Sequence, residues 1–364
     1  MKQNGELQQI LDLAASIEVL DSKAMQASRE RQEQLTKPAG SLGRLEELAI
    51  QLAGISGQAR PQIKQKAVIV MAADHGVTAE GVSAYPAEVT PQMVYNFLHG
   101  GAAINALARQ AGTRIAVVDV GVASQLEHPG LISKKVAYGT QNMAQGPAMS
   151  SEQMVRAIEV GREVFQQQLA QGCELIATGE MGIGNTTASS ALTAVLLHVP
   201  VAQITGRGTG IDDRQLQHKI EVIERAIAIN QPDDQQPLDV LMKVGGLEIA
   251  GLVGVILEAA AQRRAILIDG FISGAAALVA VKLNPQVKDY LIAGHVSVEQ
   301  GHRVLLEHLG LRPLLNLELR LGEGTGAVLA MSIVESALRV HNEMSTFAEA
   351  GVSERAETTE TVDQ

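Results

Sequence analysis

Five short apolar runs, each ending near glycine or aspartate, recur along the 364-residue chain. Their length and β-branched content predict buried strands. Segments with helical periodicity, such as Pro91 to Gln110 and Glu152 to Gln171, lie between the runs. This alternation predicts an α/β fold with a doubly wound parallel sheet. The runs occupy residues 66–76, 114–122, 173–182, 265–274 and 289–297.

Polar residues and glycines stand where these predicted strands end. In an open parallel sheet the ligand lies beyond the carboxyl ends of the strands. The residues at these ends therefore indicate one shared binding site. They are Asp74-His75-Gly76, Asp119, Gly179-Glu180, Asp269-Gly270 and Gly294-His295.

The composition limits the classes of protein to which the chain can belong. It is 46% hydrophobic but only 2% aromatic, so the core must be aliphatic, as suits parallel strands packed under helices. The net charge of −11 and the lack of any lysine or arginine run argue against a nucleic-acid partner. Cys173 is the only cysteine, which excludes an intrachain disulfide and a multi-cysteine metal site.

The N-terminal segment carries acids and lacks the apolar stretch of a signal peptide. No apolar run approaches the roughly 18 residues that a membrane-spanning helix needs. We therefore expect a cytoplasmic protein without a membrane partner.

The helical pattern at the two ends of the chain predicts a small helical domain of residues 1–30 and 303–348. Residues 31–302 are then expected to form the large nucleotide-binding domain. Residues 349–364 hold five acids and one arginine, a net charge of −4, and almost no apolar side chains. We expect this acidic tail to be disordered.

Residues 179–197, GEMGIGNTTASSALTAVLL, resemble a phosphate-binding loop that leads into an apolar helix. Gly179 and Gly184 have the spacing of a P-loop, and Thr186 stands where that motif places its hydroxyl, but Asn185 replaces the lysine. Backbone N–H groups at a helix N-terminus can still hold one phosphate. The pattern therefore favours a mononucleotide over ATP. We expect the carboxylate of Glu180 to lie inside this loop.

Three further patterns are weaker when taken singly. Glu323 lies between two glycines ahead of a helix, where it could either approach a ligand or serve as an acid at a helix N-terminus. Residues 206–213, GRGTGIDD, form a second glycine-rich loop, which could equally be a plain turn. The pair Asp74-His75 has no partner at ligand spacing, so we expect no metal site.

Taken together, several segments resemble the nicotinate-nucleotide–dimethylbenzimidazole phosphoribosyltransferase family of cobalamin nucleotide-loop assembly. The resemblance covers residues 37 to 338, and the combination of segments is far more specific than any one of them. The segments are KPAGSLGRLE (37–46), ADHGVTAEGVSAYPAEVTPQMV (73–94), GGAAINALARQ (100–110), GEMGIGNTTASSAL (179–192), GRGTGID (206–212), ILIDGFISGAAAL (266–278), AGHVSVEQGH (293–302) and LRLGEGTGA (319–327).

This resemblance implies a Rossmann-like large domain with about six parallel strands, a small domain of helices from both chain ends, and a homodimer. It implies that nicotinate mononucleotide and 5,6-dimethylbenzimidazole react to give α-ribazole 5′-phosphate and nicotinate, with no cofactor.

By motif position, the resemblance implies that Glu323 is the catalytic base and Glu180 the second active-site carboxylate. Lys219 is then the matching basic residue, and Ser83 and Gln92 contribute to the pocket for the incoming base. The remaining positions implied to bind the nucleotide or its phosphate are Gly182, Gly184, Asn185, Thr186, Thr187, Gly206, Gly208, Asp269 and Ser297.

Two other functions remain open from the residues alone. The chain could be a non-catalytic mononucleotide-binding module, in which Glu323 would be dispensable. It could also be a purine-type phosphorylase, in which inorganic phosphate would be the acceptor.

Overall fold

A parallel sheet of six strands forms the centre of the protein. The apolar runs of the sequence predict the parallel sheet, and the family resemblance implies the number of strands. The computed structural model of the chain describes residues 2–208 and 210–353, with side chains from residue 5 onwards. The strands are β1 (Lys66–Ala73), β2 (Arg114–Gly121), β3 (Leu131–Ser133), β4 (Leu175–Met181), β5 (Ala265–Ile268) and β6 (Leu291–Ala293). The strand order is β3-β2-β1-β4-β5-β6, and every neighbouring pair is parallel. All residues of β1 are buried, so the sheet is covered on both of its faces.

Helices connect and flank these strands, which confirms the α/β class. None of the described helices is both long and apolar enough to cross a bilayer. The helices are α1 (Lys2–Ala15), α2 (Ser22–Gln34), α3 (Arg44–Ser56), α4 (Val89–Leu98), α5 (Ala103–Gln110), α6 (Ser151–Ala170), α7 (Asn185–Leu197), α8 (Val201–Ile204), α9 (Asp213–Asn230), α10 (Pro237–Val244), α11 (Leu247–Ala261), α12 (Phe271–Leu283), α13 (Gln300–Leu309), α14 (Thr325–Glu343) and α15 (Phe347–Ala350).

Two details of the strand and helix prediction differ from the structure. The edge strand β3 was not predicted, because its three residues form no apolar run and none of them is buried. The helical pattern from Pro91 to Gln110 is divided between α4 and α5. The break falls at Gly100, whose φ of +79° is left-handed and cannot continue a helix.

The chain divides into two compact units. The large unit consists of residues up to Val19 and of Ile63–Ser332, and the small unit consists of Leu20–Gln62 and the residues from Ile333 onwards. These boundaries differ from the predicted ones, because α1 and α13 belong to the large unit. The first helix is fixed there by Asn284, whose Nδ2 donates to the backbone oxygen of Ala14 at 2.7 Å.

His341, a buried histidine near the end of α14, connects the two chain segments that form the small unit. Gln32 Nε2 lies 2.9 Å from His341 Nδ1, and Arg31 Nε donates to the His341 backbone oxygen at 2.7 Å. Thr346 caps α15 in a reciprocal pair of bonds with Glu349. The first residues of the predicted acidic tail therefore belong to a short helix, and residues 354–364 lie outside the described part of the chain.

Helices α6 and α11 pack with their backbones in direct contact. A methyl group on Gly161 would lie 1.8 Å from the backbone oxygen of Gly251, and one on Gly254 would lie 1.9 Å from that of Ile158. Glycine is required at these positions because any side chain would push the two helices apart.

We predict that Gly254→Ala lowers the free energy of unfolding by about 1–3 kcal/mol, the usual cost of overpacking. Urea denaturation followed by circular dichroism measures this change. Gly146→Ala is the matched control, because nothing lies within 4 Å of its added methyl group. Equal stability of the two variants would contradict the close packing of α6 and α11.

Candidate active site

The site lies where the strand order reverses, between β1 and β4. These two central strands are neighbours, and the helical connections leave them toward opposite edges of the sheet. Met71 pairs with Glu180, so the residues that follow β1, Asp74 and His75, lie beside the end of β4. This is the position at which open α/β sheets bind ligands.

The sequence suggested that Glu180 lies in the phosphate-type loop, but the structure places it on strand β4. The strand continues to Met181, which leaves only Gly182 to Gly184 as the loop before α7. Its carboxylate is buried and accepts a hydrogen bond from Asn185 Nδ2. Burial raises the pKa of Glu180 to about 8, and the nearby carboxylates of Glu248, Asp269 and Glu323 act in the same direction. Glu180 is therefore mostly a neutral acid at pH 7.

The loop before α7 presents a helix N-terminus to the site. Gly184 holds the N-cap position with a φ of +94°, and no side chain caps the helix. Polar side chains follow in the first turn of α7. Among them, Thr186 Oγ1 accepts a hydrogen bond from Lys219 Nζ at 2.8 Å. Burial lowers the pKa of Lys219 to about 8, which Glu299 opposes.

Glu323 lies in a strained loop before α14. Its φ of +62° is left-handed, as are those of its neighbours Gly322 and Gly324. The carboxylate accepts a hydrogen bond from the Ile104 backbone N–H at 3.3 Å. Burial and the charge of Asp269 raise the pKa of Glu323 above its usual value, although the Ile104 hydrogen bond opposes the shift.

Asp269 anchors this loop from the end of β5. Its two carboxylate oxygens accept hydrogen bonds from the backbone N–H groups of Gly324, at 3.2 Å, and Ala327, at 2.9 Å. His295 Nε2 lies 3.5 Å from the same carboxylate. Burial raises the pKa of Asp269. In this structure both carboxylate oxygens of Asp269 therefore bind backbone N–H groups of the protein.

A cavity of about 540 Å³ opens onto these elements. Eight of the predicted residues line it, namely Ser83, Glu180, Gly182, Gly184, Asn185, Thr186, Gly208 and Ser297. An adjoining cavity of about 510 Å³ includes Gly206 and shares Gly208, Glu299 and Arg320 with the first.

Five predicted residues lie outside the lining of both cavities. Four of them, Thr187, Lys219, Asp269 and Glu323, are buried. Gly322, which precedes Glu323 in the chain, does line the first cavity. Gln92 is different, because it is exposed on α4. Its predicted contact with the incoming base remains a prediction.

Sequence reasoning did not single out three residues that the structure places in the cavity wall: Tyr85, Glu299 and Arg320. Tyr85 is one of only four tyrosines in the chain, which was a usable signal in a protein so poor in aromatic residues. Its side chain is 55% exposed in the structure. No comparable signal marked Glu299 or Arg320. Among the described residues, no group of three His, Cys, Asp or Glu side chains is placed to hold a metal ion.

Comparison with known proteins gives a consistent result. A family model described as phosphoribosyltransferase matches residues 17–352. The nicotinate-nucleotide–dimethylbenzimidazole phosphoribosyltransferase of Chloroflexus aggregans is 61% identical over 339 residues, which cover 93% of this chain and 96% of that protein. The protein of the same name from Desulforudis audaxviator is 60% identical over 336 residues, covering 92% and 95%. The crystal structure of CobT from Thermus thermophilus superposes with a TM-score of 0.89 at 51% identity, covering 92% of this chain and all of that one.

We predict that Glu180 makes the stability of the protein depend on pH. Its pKa is about 8 in the folded state and 4.5 ordinarily, so the unfolded chain releases a proton that the folded state keeps. The folded state therefore loses stability as the pH rises from 4.5 to 8. Glu180→Gln cannot ionise, so its free energy of unfolding should rise relative to the wild type over this interval.

Urea denaturation of both proteins at several pH values gives this difference. Lys219 has a pKa of about 8 in the folded state and 10.5 ordinarily, so it changes the stability above this interval. A difference that stays constant with pH would mean that Glu180 ionises as an ordinary glutamate.

Proposed function

The chain belongs to the nicotinate-nucleotide–dimethylbenzimidazole phosphoribosyltransferase family, and we propose that its site transfers the phosphoribosyl group of nicotinate mononucleotide to 5,6-dimethylbenzimidazole. The products are α-ribazole 5′-phosphate and nicotinate, in the assembly of the cobalamin nucleotide loop. The observation that carries the proposal is the arrangement of the cavity. A helix N-terminus faces it from one wall, and the loop that carries Glu323 reaches it through Gly322.

The phosphate of the nucleotide binds at the start of α7. Gly182, Gly184, Asn185 and Thr186 line the cavity here, and a helix N-terminus without a side-chain cap favours an anion. Lys219 acts by orienting the Thr186 hydroxyl, to which it donates its hydrogen bond. Gly208 closes this end of the cavity, and a methyl group there would lie 2.9 Å from Thr186 Oγ1.

The incoming base binds on the side of the cavity lined by Ser83 and Tyr85. Apolar side chains, including Val82 and Ile272, also line this cavity, and such a lining suits a flat, mostly apolar ring. The Ser83 hydroxyl supplies polarity in this wall, where it can bond to a ring nitrogen.

Glu323 acts as the general base. As one imidazole nitrogen bonds to the anomeric carbon, the N–H of the other nitrogen becomes acidic, and a carboxylate can take that proton. The raised pKa of Glu323 makes it a stronger base than an exposed glutamate. The positively charged ring nitrogen of the nucleotide becomes neutral as its bond to the sugar breaks, so the departing nicotinate needs no proton. Glu180, which is mostly neutral at pH 7, serves as a hydrogen-bond donor.

We also propose that the protein is a homodimer and works in the cytoplasm. The support for a dimer is a set of exposed apolar side chains near the cavities. Tyr85, Val298 and Leu321 are each more than half exposed and belong to the cavity walls. A second copy of the chain would cover these side chains and the cavity mouth.

The function is tested by incubating the protein with nicotinate mononucleotide, with and without dimethylbenzimidazole. We expect nicotinate release that requires dimethylbenzimidazole, and a product with the α-configuration, because one displacement inverts the β-nucleotide. The anomeric proton signal in NMR reports the configuration. Release driven by inorganic phosphate would favour the phosphorylase, and no release would favour the binding module. A β-configured product would rule out the single displacement.

We predict that Glu323→Gln loses most of its turnover, by about 10²–10⁴-fold, which is the usual contribution of a general base. Binding of nicotinate mononucleotide should persist, because the phosphate site lies at α7. Initial rates and calorimetric titration measure the two effects. Glu307→Gln, an exposed glutamate on α13, is the matched control. Turnover within about threefold of the wild type would remove Glu323 from the mechanism.

A further inference from the structure

A buried histidine at the start of α13 is bonded to the wall of the cavity without lining it. His302 is 0% exposed and lies outside the lining of both described cavities. Its Nδ1 accepts a hydrogen bond from the backbone N–H of Ser297 at 2.9 Å. Because Ser297 lines the first cavity, this bond connects the imidazole to the site.

The same bond closes a compact turn of residues 297–302 between β6 and α13. Within it, Ser297 Oγ accepts a hydrogen bond from the Glu299 N–H at 3.2 Å, and the His302 N–H donates to the Glu299 backbone oxygen at 3.0 Å. Glu299 lines both cavities. The turn therefore determines where two residues of the cavity wall lie.

Two other loops of the site contact this turn. The backbone N–H of Val298 donates to the Leu319 oxygen at 3.1 Å, and Leu319 lines the first cavity. A methyl group on Gly206 would lie 2.1 Å from Glu299 Oε2, so the glycine-rich loop of residues 206–213 packs directly on the Glu299 carboxylate. A displaced turn would therefore disturb more of the wall than Ser297 alone.

The bond from Ser297 requires a neutral imidazole that carries its proton on Nε2. A ring nitrogen can accept an N–H only when it is itself unprotonated. Burial and the neighbouring His295, whose ring centroid lies 5.9 Å away, lower the pKa of His302 to about 3, so the ring is neutral at pH 7. Over the residues that the structure describes, Nε2 has no hydrogen-bond partner. The polar contact of this ring is therefore the one at Nδ1.

We propose that His302 is a positioning residue of this site: by accepting the Ser297 N–H, it fixes Ser297 and Glu299 in the wall against which the nucleotide binds. It acts through these residues and not by contact with the substrate. The proposal rests on the proposed function, because it assigns His302 a part in the binding of nicotinate mononucleotide.

The role of Nδ1 is tested with substitutions that keep, move or remove the acceptor. His302→Asn keeps it, because the asparagine Oδ1 is as many bonds from Cβ as the histidine Nδ1. His302→Gln moves the amide one bond further from Cβ, and His302→Leu removes the acceptor. His341→Leu is the matched control, because His341 is also 0% exposed but bonds to Gln32 of the small unit.

We expect the KM for nicotinate mononucleotide to rise about fivefold or more in His302→Leu and His302→Gln, as for the loss of one hydrogen bond to the ligand. It should stay within about twofold of the wild type in His302→Asn and His341→Leu. The KM for dimethylbenzimidazole should hardly change in any variant, because the base binds beside Ser83 and Tyr85.

This pattern separates positioning from stability. A variant that is only less stable has fewer active molecules, which lowers the apparent kcat and leaves KM unchanged. An unchanged KM for the nucleotide in His302→Leu and His302→Gln, or an equal rise in His302→Asn, would overturn the proposal. If His302→Leu does not fold, His302→Gln carries the same test.

The hydrogen bond itself is tested on the full chain without substrate. In protein labelled with nitrogen-15 in its histidines, the ring signals of His302 are assigned by their loss in His302→Gln. We expect an unprotonated Nδ1 and a protonated Nε2 at pH 7, and a Ser297 amide that exchanges slowly in the wild type and in His302→Asn but faster in His302→Gln. A protonated Nδ1, or equal exchange in all three proteins, would overturn the proposal. Since no substrate is present, this outcome stands apart from whether the wild type transfers a phosphoribosyl group.

Discussion

The hydrogen bonds of one buried carboxylate hold the loop that carries Glu323. Asp269, at the end of β5, accepts bonds from Gly324 and Ala327 and so fixes both the loop and the first turn of α14. A glutamate at a φ of +62° is strained by about 1–3 kcal/mol, which persists only where the surroundings impose it. Strand β4 also packs closely against this loop, since a methyl group on Gly179 would lie 2.5 Å from the Glu323 backbone oxygen. The position of Glu323, the proposed base, therefore depends on β4 and β5 together.

Crowding of carboxyl groups then decides which of them is ionised. Each buried acid opposes the ionisation of the others, and the effect is strongest for Glu180, whose pKa is about 8. Burial also raises the pKa of Glu323, but the hydrogen bond from the Ile104 N–H stabilises its charged form and opposes this rise. In the proposed mechanism these two chemically identical side chains therefore have different roles, Glu180 as a hydrogen-bond donor and Glu323 as a base. The same sorting by environment separates acid from base in other enzymes with paired carboxylates.

The sequence predicted the features that follow from local pattern. Apolar runs placed five of the six strands, and the rule for strand ends located Glu180 and Asp269 at one site. Other features depend on packing that no local pattern contains. Strand β4 continues to Met181, beyond Gly179, at which the P-loop pattern begins, so Glu180 is in the strand. Arg320 reaches the cavity from a loop without regular structure, and the exposure of Gln92 follows from the way in which α4 packs.

The protonation of Glu180 explains why the phosphate-type loop has an asparagine in place of the lysine. Asn185 stands at the position of the lysine and donates its amide hydrogen bond to Glu180. An amide is neutral, so it satisfies the carboxyl oxygen and lowers the pKa of Glu180 only modestly against the effect of burial. A lysine here would form an ion pair with Glu180 and stabilise its charged form. The loop can therefore hold a phosphate through its backbone while the neighbouring glutamate keeps its proton.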